Sequence, residues 1–181
     1  MLALRNRRVA KDRMLERQAR LSRERLLEVL SYDPATGVFR WLVSTSNRIK
    51  IGAVAGQLIK GARWINVDGT RFAAHRLAWF YVKTVWPDGD IDHHDVNPDN
   101  NIFVNLREAF GGQNHCNCRV RKHCRSGVKG AHWHSQAKRW TSRISLNKKH
   151  HYLGLFDTVE EAAAAYAEAS ARFHGEFGRT Y

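Results

Sequence analysis

The chain of 181 residues has only three cysteines. So few, in an odd number, fit a reducing cytoplasm better than a disulfide framework. No run of 18 apolar residues occurs, which excludes a transmembrane helix and a membrane partner. The N-terminus lacks the apolar core of a secretory signal. Its first 20 residues are Arg-rich, as in a mitochondrial transit peptide, but Asp12, Glu16 and the absence of serine argue against one. No internal repeat appears, and the only compositionally biased tract is a run of alanines near the end. The most informative absence is of acid: residues 119–151 hold ten Lys or Arg and no Asp or Glu.

What is present points to a folded, cationic protein. Hydrophobic residues make up 43 %, enough for a core. The formal charge of +13 is the usual footprint of a nucleic-acid partner. A ribosome-like structural protein and a merely basic enzyme are the rival readings of the charge.

Four blocks follow along the chain. Residues 1–30 carry nine Lys or Arg against four acids and form a basic arm. The arm ends in a helix, because Leu26, Leu27 and Leu30 follow Ser22 at helical spacing. It is either a solvated helix or a further contact to phosphates. Residues 31–74 read as β-structure: DPATG at 33–37 is a turn, VFRWLV at 38–43 alternates, and Asp68-Gly69 marks a hairpin. HRLAWFYVK, 75–83, has a buried-helix pattern. Residues 121–128 read as a basic linker. Three strand-like runs follow at 129–135, 139–146 and 149–156. A helix then starts at the capping box Thr158-x-x-Glu161, continues through EEAAAAYAEASARF and stops at Gly175.

The chemistry concentrates in IDHHDVNPDNNIFVNLREAFGGQN, residues 91–114. Phosphodiester hydrolysis needs a base to take a proton from water and a cation to neutralise the leaving oxygen. A neutral histidine suits the first task near pH 7. Carboxylate and amide oxygens are hard ligands that suit Mg²⁺ or Mn²⁺. All three groups occur in this stretch.

The residues Asp92-His93-His94-Asp95, Asn100-Asn101, Asn105-Leu106-Arg107 and Gln113-Asn114 resemble the motif of the HNH homing endonucleases. The spacings of 13 from Asp92 to Asn105 and 22 to Asn114 are similar to those of phage intron-encoded members. YDPATGVFRW and HRLAW resemble that family's N-terminal part. The resemblance implies a ββα-metal fold, with His93 as general base and Asn105 orienting the base-bearing loop. It also implies Asp92 and Asn114 as ligands of Mg²⁺ or Mn²⁺, in an H-N-N variant of the motif. His94 departs from the family, whose members often have an apolar residue there. His75 opens a helical run and reads as a structural histidine. Cys116, Cys118 and Cys124 have the pattern CxC-x5-C, which lacks the paired knuckles of structural zinc sites, so free thiols rather than zinc are expected.

At the C-terminal end, period two places Ala131, Trp133, Trp140, Ser142, Ile144, His151 and Leu153 on one face of the three strands. His132, His134, Arg139, Thr141, Arg143, His150 and Tyr152 take the other, and Lys129 precedes the first strand. A basic, partly aromatic sheet of this kind lies well in a major groove. GVKGAHWH, KRWTSRI, YLGLFDTVEEAAAAYAEA and HGEFGRTY resemble the plant APETALA/ethylene-response-factor domain over residues 125–181. That resemblance implies that Lys129 and the seven outward residues contact DNA.

The reading is therefore α+β: a basic helical arm (1–30), an HNH nuclease domain (31–120), a basic linker (121–128) and an AP2/ERF-like DNA-binding domain (129–181). The last is a small three-stranded antiparallel sheet packed on one helix. The implied protein is a monomeric, cytoplasmic endonuclease of a bacterial or phage-infected cell, acting on double-stranded DNA. A non-catalytic DNA-binding regulator is the alternative, and a basic RNA-associated structural protein is a second rival.

Overall fold

Ser22 starts the first helix, α1 (Arg23–Val29), by accepting a hydrogen bond from the Arg25 N–H at 3.2 Å. This computed structural model describes residues 9, 12–120, 124–146 and 149–180. Residues 1–8, 10 and 11 of the arm and 121–123 of the linker lie outside the described residues. The fold is α+β with small antiparallel sheets, and the chain divides into two units, Met1–Glu108 and Ala109–Tyr181.

In the first unit, residues 12–18 are helical. Gln18 is buried, and with its amide oxygen turned toward Arg76 it accepts from Nε at 3.2 Å and Nη2 at 2.8 Å. Leu21, Leu26 and Val29 lie in the core. The end of the N-terminal block is thus part of this unit. β1 (Leu30–Asp33) pairs antiparallel with β2 (Val38–Trp41). Their turn is closed by Asp33, whose carboxylate accepts from the Ala35 N–H and the Thr36 hydroxyl.

β3 (Gln57–Ile59), β4 (Ala62–Val67) and β5 (Thr70–Ala73) form an antiparallel sheet in that order. Asp68 and Gly69 both have positive φ, 46° and 76°, as the tight β4–β5 turn requires. β4 alternates: Ile65 and Val67 are buried, while Asn66 between them is exposed. The buried face meets α2 (Ala74–Lys83), which turns Ala74, Leu77, Ala78 and Phe80 inward. Phe39, Leu26, Leu30, Ile65 and Leu77 are the largest fully buried apolar side chains of this unit. Trp86 stacks on Phe80 at 4.2 Å, and Arg76 donates to the carbonyls of Pro87 and Gly89. These contacts fix the entry to β6 (Asp90–His93), which pairs with β7 (Leu106–Ala109).

In the second unit, α3 is a single turn, Gln113–Cys116. β8 (Ala131–His134), β9 (Arg139–Leu146) and β10 (Lys149–Phe156) form an antiparallel sheet with β9 central. α4 (Val159–His174) carries the capping box at Thr158 and Glu161 and ends at Gly175. Its alanines permit close packing on the sheet, and Ala162 and Ala169 are buried. Gly130 is required here: its φ is +74°, and a Cβ would fall inside the Tyr166 ring of α4.

Two details differ from strict period two. A bulge between Tyr152 and Gly154 makes Leu153 an extra residue, so Gly154 rather than Leu153 pairs across from Ser142. Trp133 shares the side of Ala131 but lies at the end of β8 and is 54 % exposed.

Candidate functional site

The site in the first unit is a loop between two short strands. β6 ends with Asp92 and His93, which are 3 % and 8 % exposed. The chain then leaves the sheet through residues 94–105 and returns in β7 with Leu106 and Arg107. Such a loop has no ladder to hold it, so its polar side chains must. Asn105 carries most of this work. Its Nδ2 donates to Asp95 Oδ1 at 3.0 Å and to the Asn100 carbonyl at 2.8 Å, and its Oδ1 accepts from the Asp95 N–H at 3.0 Å. The His94 N–H donates to the Asn105 carbonyl at 2.9 Å.

Asp95 is the hub. It accepts from the Asn97 N–H at 2.9 Å, from Asn100 Nδ2 at 2.7 Å and from Asn105. Burial alone would raise its carboxyl, but these donors outweigh burial and hold it below the usual range.

His93 faces Asn101. Its Nε2 lies 3.3 Å from Asn101 Oδ1. Asn101 Nδ2 donates to the Asp99 carbonyl at 3.0 Å, which orients the amide oxygen toward the ring. An acceptor at Nε2 selects the tautomer protonated there and makes Nδ1 the basic nitrogen. Burial pushes the imidazole below its ordinary value, against the Asn101 contact and the carboxylates of Asp95, Asp92 and Asp99. His93 is therefore neutral near pH 7, the form a base needs.

Support for Asn101 comes from the β1–β2 hairpin. Tyr32 donates its hydroxyl to the Asn101 carbonyl at 2.7 Å, and the Phe103 N–H donates to the Pro34 carbonyl at 3.0 Å. Gly37 has φ +72°, and a Cβ there would collide with the Asn101 carbonyl carbon. The turn DPATG therefore buttresses the site loop, which sequence spacing gave no reason to expect.

Asp92 makes an ion pair with Arg107: Nε and Nη2 both lie 2.8 Å from Oδ2. His75, on α2, meets the His93 ring edge to face at 5.2 Å. Its Nδ1 is sequestered from solvent without a hydrogen-bond partner among the described residues, and burial, reinforced by His93 and Arg76, pulls its pKa down to about 3. The sequence names Asn101 and Arg107 within motifs yet assigns them no role, and it treats His75 as structural. Their partners are set by tertiary contacts. The repeated asparagines were the available signal.

Asn114 is exposed on α3. That turn is held by the second unit: the Cys116 carbonyl accepts from Lys129 Nζ at 2.7 Å and the Arg179 N–H at 3.4 Å, and Cys116 Sγ lies 3.5 Å from His174 Nδ1. Cys116, Cys118 and Cys124 form no disulfide among the described residues. Among the described residues, no group of three or more His, Cys, Asp or Glu side chains converges as a metal site. The donors present are nevertheless of the right kind for a hard divalent ion. Asp92 offers a buried carboxylate whose charge Arg107 balances, and Asn114 an exposed amide oxygen.

The sheet of the second unit presents a mixed outer face. His132 pairs across from Thr141, and Tyr152 from Arg143, so these four share one side. Tyr152 is 66 % exposed. His150 is joined to Ser145 at 2.8 Å, and His134 Nδ1 accepts from the Ala137 N–H at 3.1 Å. Arg139 pairs with Asp157 at 2.7 Å. Lys129 is turned inward onto the Cys116 carbonyl, and burial lowers its pKa. Trp133 and Trp140 meet edge to face at 5.4 Å.

The chain is similar, at 56 % identity over 39 residues, to two rice proteins named APETALA2-like protein 2, from Oryza sativa subsp. indica and subsp. japonica. Each match covers 20 % of this chain and 9 % of the relative, so less than a tenth of those proteins' length is spanned. No solved structure matches. Residues 72–110 match the family model described as HNH endonuclease, a stretch that holds Asp92, His93, Asp95, Asn101, Asn105 and Arg107 and supports a nuclease-type function on DNA.

Proposed function

We propose that the chain is a metal-dependent endonuclease of the HNH homing type that nicks or cleaves double-stranded DNA. The second unit serves as an AP2/ERF-like module for recognising a DNA site. The observation that carries the reading is the setting of His93: a buried, neutral imidazole oriented by Asn101, in a loop clamped through Asn105 and Asp95.

In this mechanism His93 Nδ1 accepts a proton from a water molecule. The water oxygen attacks phosphorus, the bond to the 3′ oxygen breaks, and that oxygen takes up a proton. The products are a 5′-phosphate and a 3′-hydroxyl. Asn101 keeps the proton of the resting imidazole on Nε2. Asn105 keeps the loop in register with β6, so the base does not have to find its position during the reaction. Asp92 and Asn114 would hold a divalent ion of the magnesium class, which when bound stabilises charge on the leaving oxygen as a Lewis acid. Arg107 is positioned to compensate Asp92.

In the second unit, His132, Thr141, Arg143 and Tyr152 are the outward residues for base and phosphate contact, with His134, Arg139 and His150 at the margins of the sheet. Lys129 acts indirectly, by fixing the turn that carries Asn114. Two modules on neighbouring sites raise the effective concentration on one target.

The test is plasmid relaxation with Mg²⁺ or Mn²⁺ against EDTA, run beside His93→Ala. Metal-dependent nicking that is lost in the variant supports the reading. Full activity in the variant removes His93 from the role of base. A wild type that binds its DNA site tightly but never cuts it identifies a regulator instead.

A further inference from the structure

The outer face of the β3–β4–β5 sheet forms a groove that the cleavage mechanism leaves unused. It has a volume of about 720 Å³, and its lining includes Arg17, Arg20, Lys60, Trp64, Asn66 and Arg71. Strand alternation builds it. Ile65 and Val67 point to the core, so Trp64 and Asn66 point out, and Arg71, directly across from Asn66, shares their side. Arg17 and Arg20 come from the end of the N-terminal helical stretch, anchored by buried Gln18.

The electrostatics are one-sided. Arg17, Arg20, Lys60 and Arg71 are exposed, and among the described residues none of them makes an ion pair. The carboxylate at the β4–β5 turn, Asp68, is already held by Arg25 at 2.8 and 3.0 Å. A cationic concavity with an aromatic and an amide on its floor suits a chain of phosphates. The β3–β4 turn, which carries Lys60 of the groove, approaches the site loop. At the β3–β4 turn, a Cβ on Gly61 would lie 3.8 Å from Pro98 Cγ, and the next residues tie the sheet to the site loop through Arg63 on Asp99 at 2.9 and 3.1 Å. With a rise of about 3.3 Å per residue, β4 spans roughly 20 Å. At one phosphate per 3.4 Å of axis on each strand, that is about half a turn of duplex.

We propose that this groove carries the phosphate backbone of double-stranded DNA on one side of the scissile bond, and that Arg17 and Arg20 are the part the basic N-terminal block plays in it. The inference rests on the nuclease reading for its direction along the DNA, but its binding test does not.

The full chain with Arg17→Ala, Arg20→Ala, Lys60→Ala and Arg71→Ala is compared with a charge-matched control, Arg13→Ala, Arg48→Ala, Lys50→Ala and Lys83→Ala. The probe is a 30-base-pair duplex of random sequence, titrated over a range of KCl concentrations. At about 0.9 per phosphate contact, the slope of log affinity on log salt is expected to flatten by 3 to 4 in the groove variant only. Its affinity falls by about tenfold or more at low salt. The two-site variant Lys60→Glu with Arg71→Glu repeats the test with fewer changes to the arm. Equal slopes in the groove and control variants overturn the proposal, and so does a loss confined to RNA of the same length. A wild type that never nicks DNA sinks the nuclease reading, while the slopes still report on the groove.

Discussion

The two candidate working surfaces are built on opposite principles. In the first unit, Asp92 and His93 are buried, Asn101 faces His93 at 3.3 Å, and Asp95, Asn100 and Asn105 satisfy one another at 2.7–3.0 Å. In the second, His132, Arg143 and Tyr152 stand exposed on a sheet whose other side packs on an alanine-rich helix. A buried polar network is costly to leave incomplete, so each member fixes its neighbours. An exposed face leaves its side chains free to meet a ligand and contributes little to stability. Damage to the first should therefore cost both chemistry and folding, and damage to the second should cost only recognition.

The sharpest break of that contrast is His93→Ala. Loss of a general base should lower the cleavage rate by about 10²–10⁴-fold. Binding of the same duplex, followed by gel shift in EDTA, should stay unchanged. Next comes Asn105→Ala, which removes three hydrogen bonds from the loop. At about 1 kcal/mol each, the first unit should lose about 2–3 kcal/mol in chemical denaturation, and cleavage should fall with it. An unaltered melt would mean that the loop is held by something other than this clamp.

In the second unit, His132→Ala, Arg143→Ala and Tyr152→Ala combined should leave the melt and the cleavage of non-specific plasmid alone. Preference for a selected site should weaken by on the order of tenfold for each base that is no longer read, in competition binding. Unfolding of the chain by this triple change would erase the distinction between the two surfaces.

The smallest effect at neutral pH is expected from His75→Phe. His75 titrates near 6.5 when unfolded and near 3 in the fold. Between those values the unfolded state binds the extra proton, so stability falls as pH drops from 6.5 toward 3 and is fully present above 6.5. The phenylalanine variant cannot take up that proton and also removes a buried nitrogen that has no partner among the described residues. Melting temperature against pH should be flatter in the variant over that window. Parallel curves would mean that His75 is protonated in the native state.

Much of the fold is legible in the chain itself. Alternation in RWTSRISL and KHHYLGLF marks β9 and β10 with the ends that the structure has. Asp68-Gly69 marks its hairpin, and Thr158 with Glu161 marks the start of α4. These are local signals, read over a few residues by turn chemistry, capping and side-chain period. The bulge at Leu153 was not legible, because it depends on how β10 meets β9.

Residue type and near spacing settle the inventory: a cationic chain, a histidine among aspartates and asparagines, a basic sheet and an alanine-rich helix. Both act locally, so both can be read along the chain. The partnerships come from packing. Only folding brings Tyr32 and Gly37 against Asn101, His75 against His93 and Arg107 onto Asp92. It also assigns the turn bearing Asn114 to the second unit, through Lys129 and Arg179. Contacts between residues 15 to 69 positions apart depend on how the elements pack, and no short-range pattern encodes them.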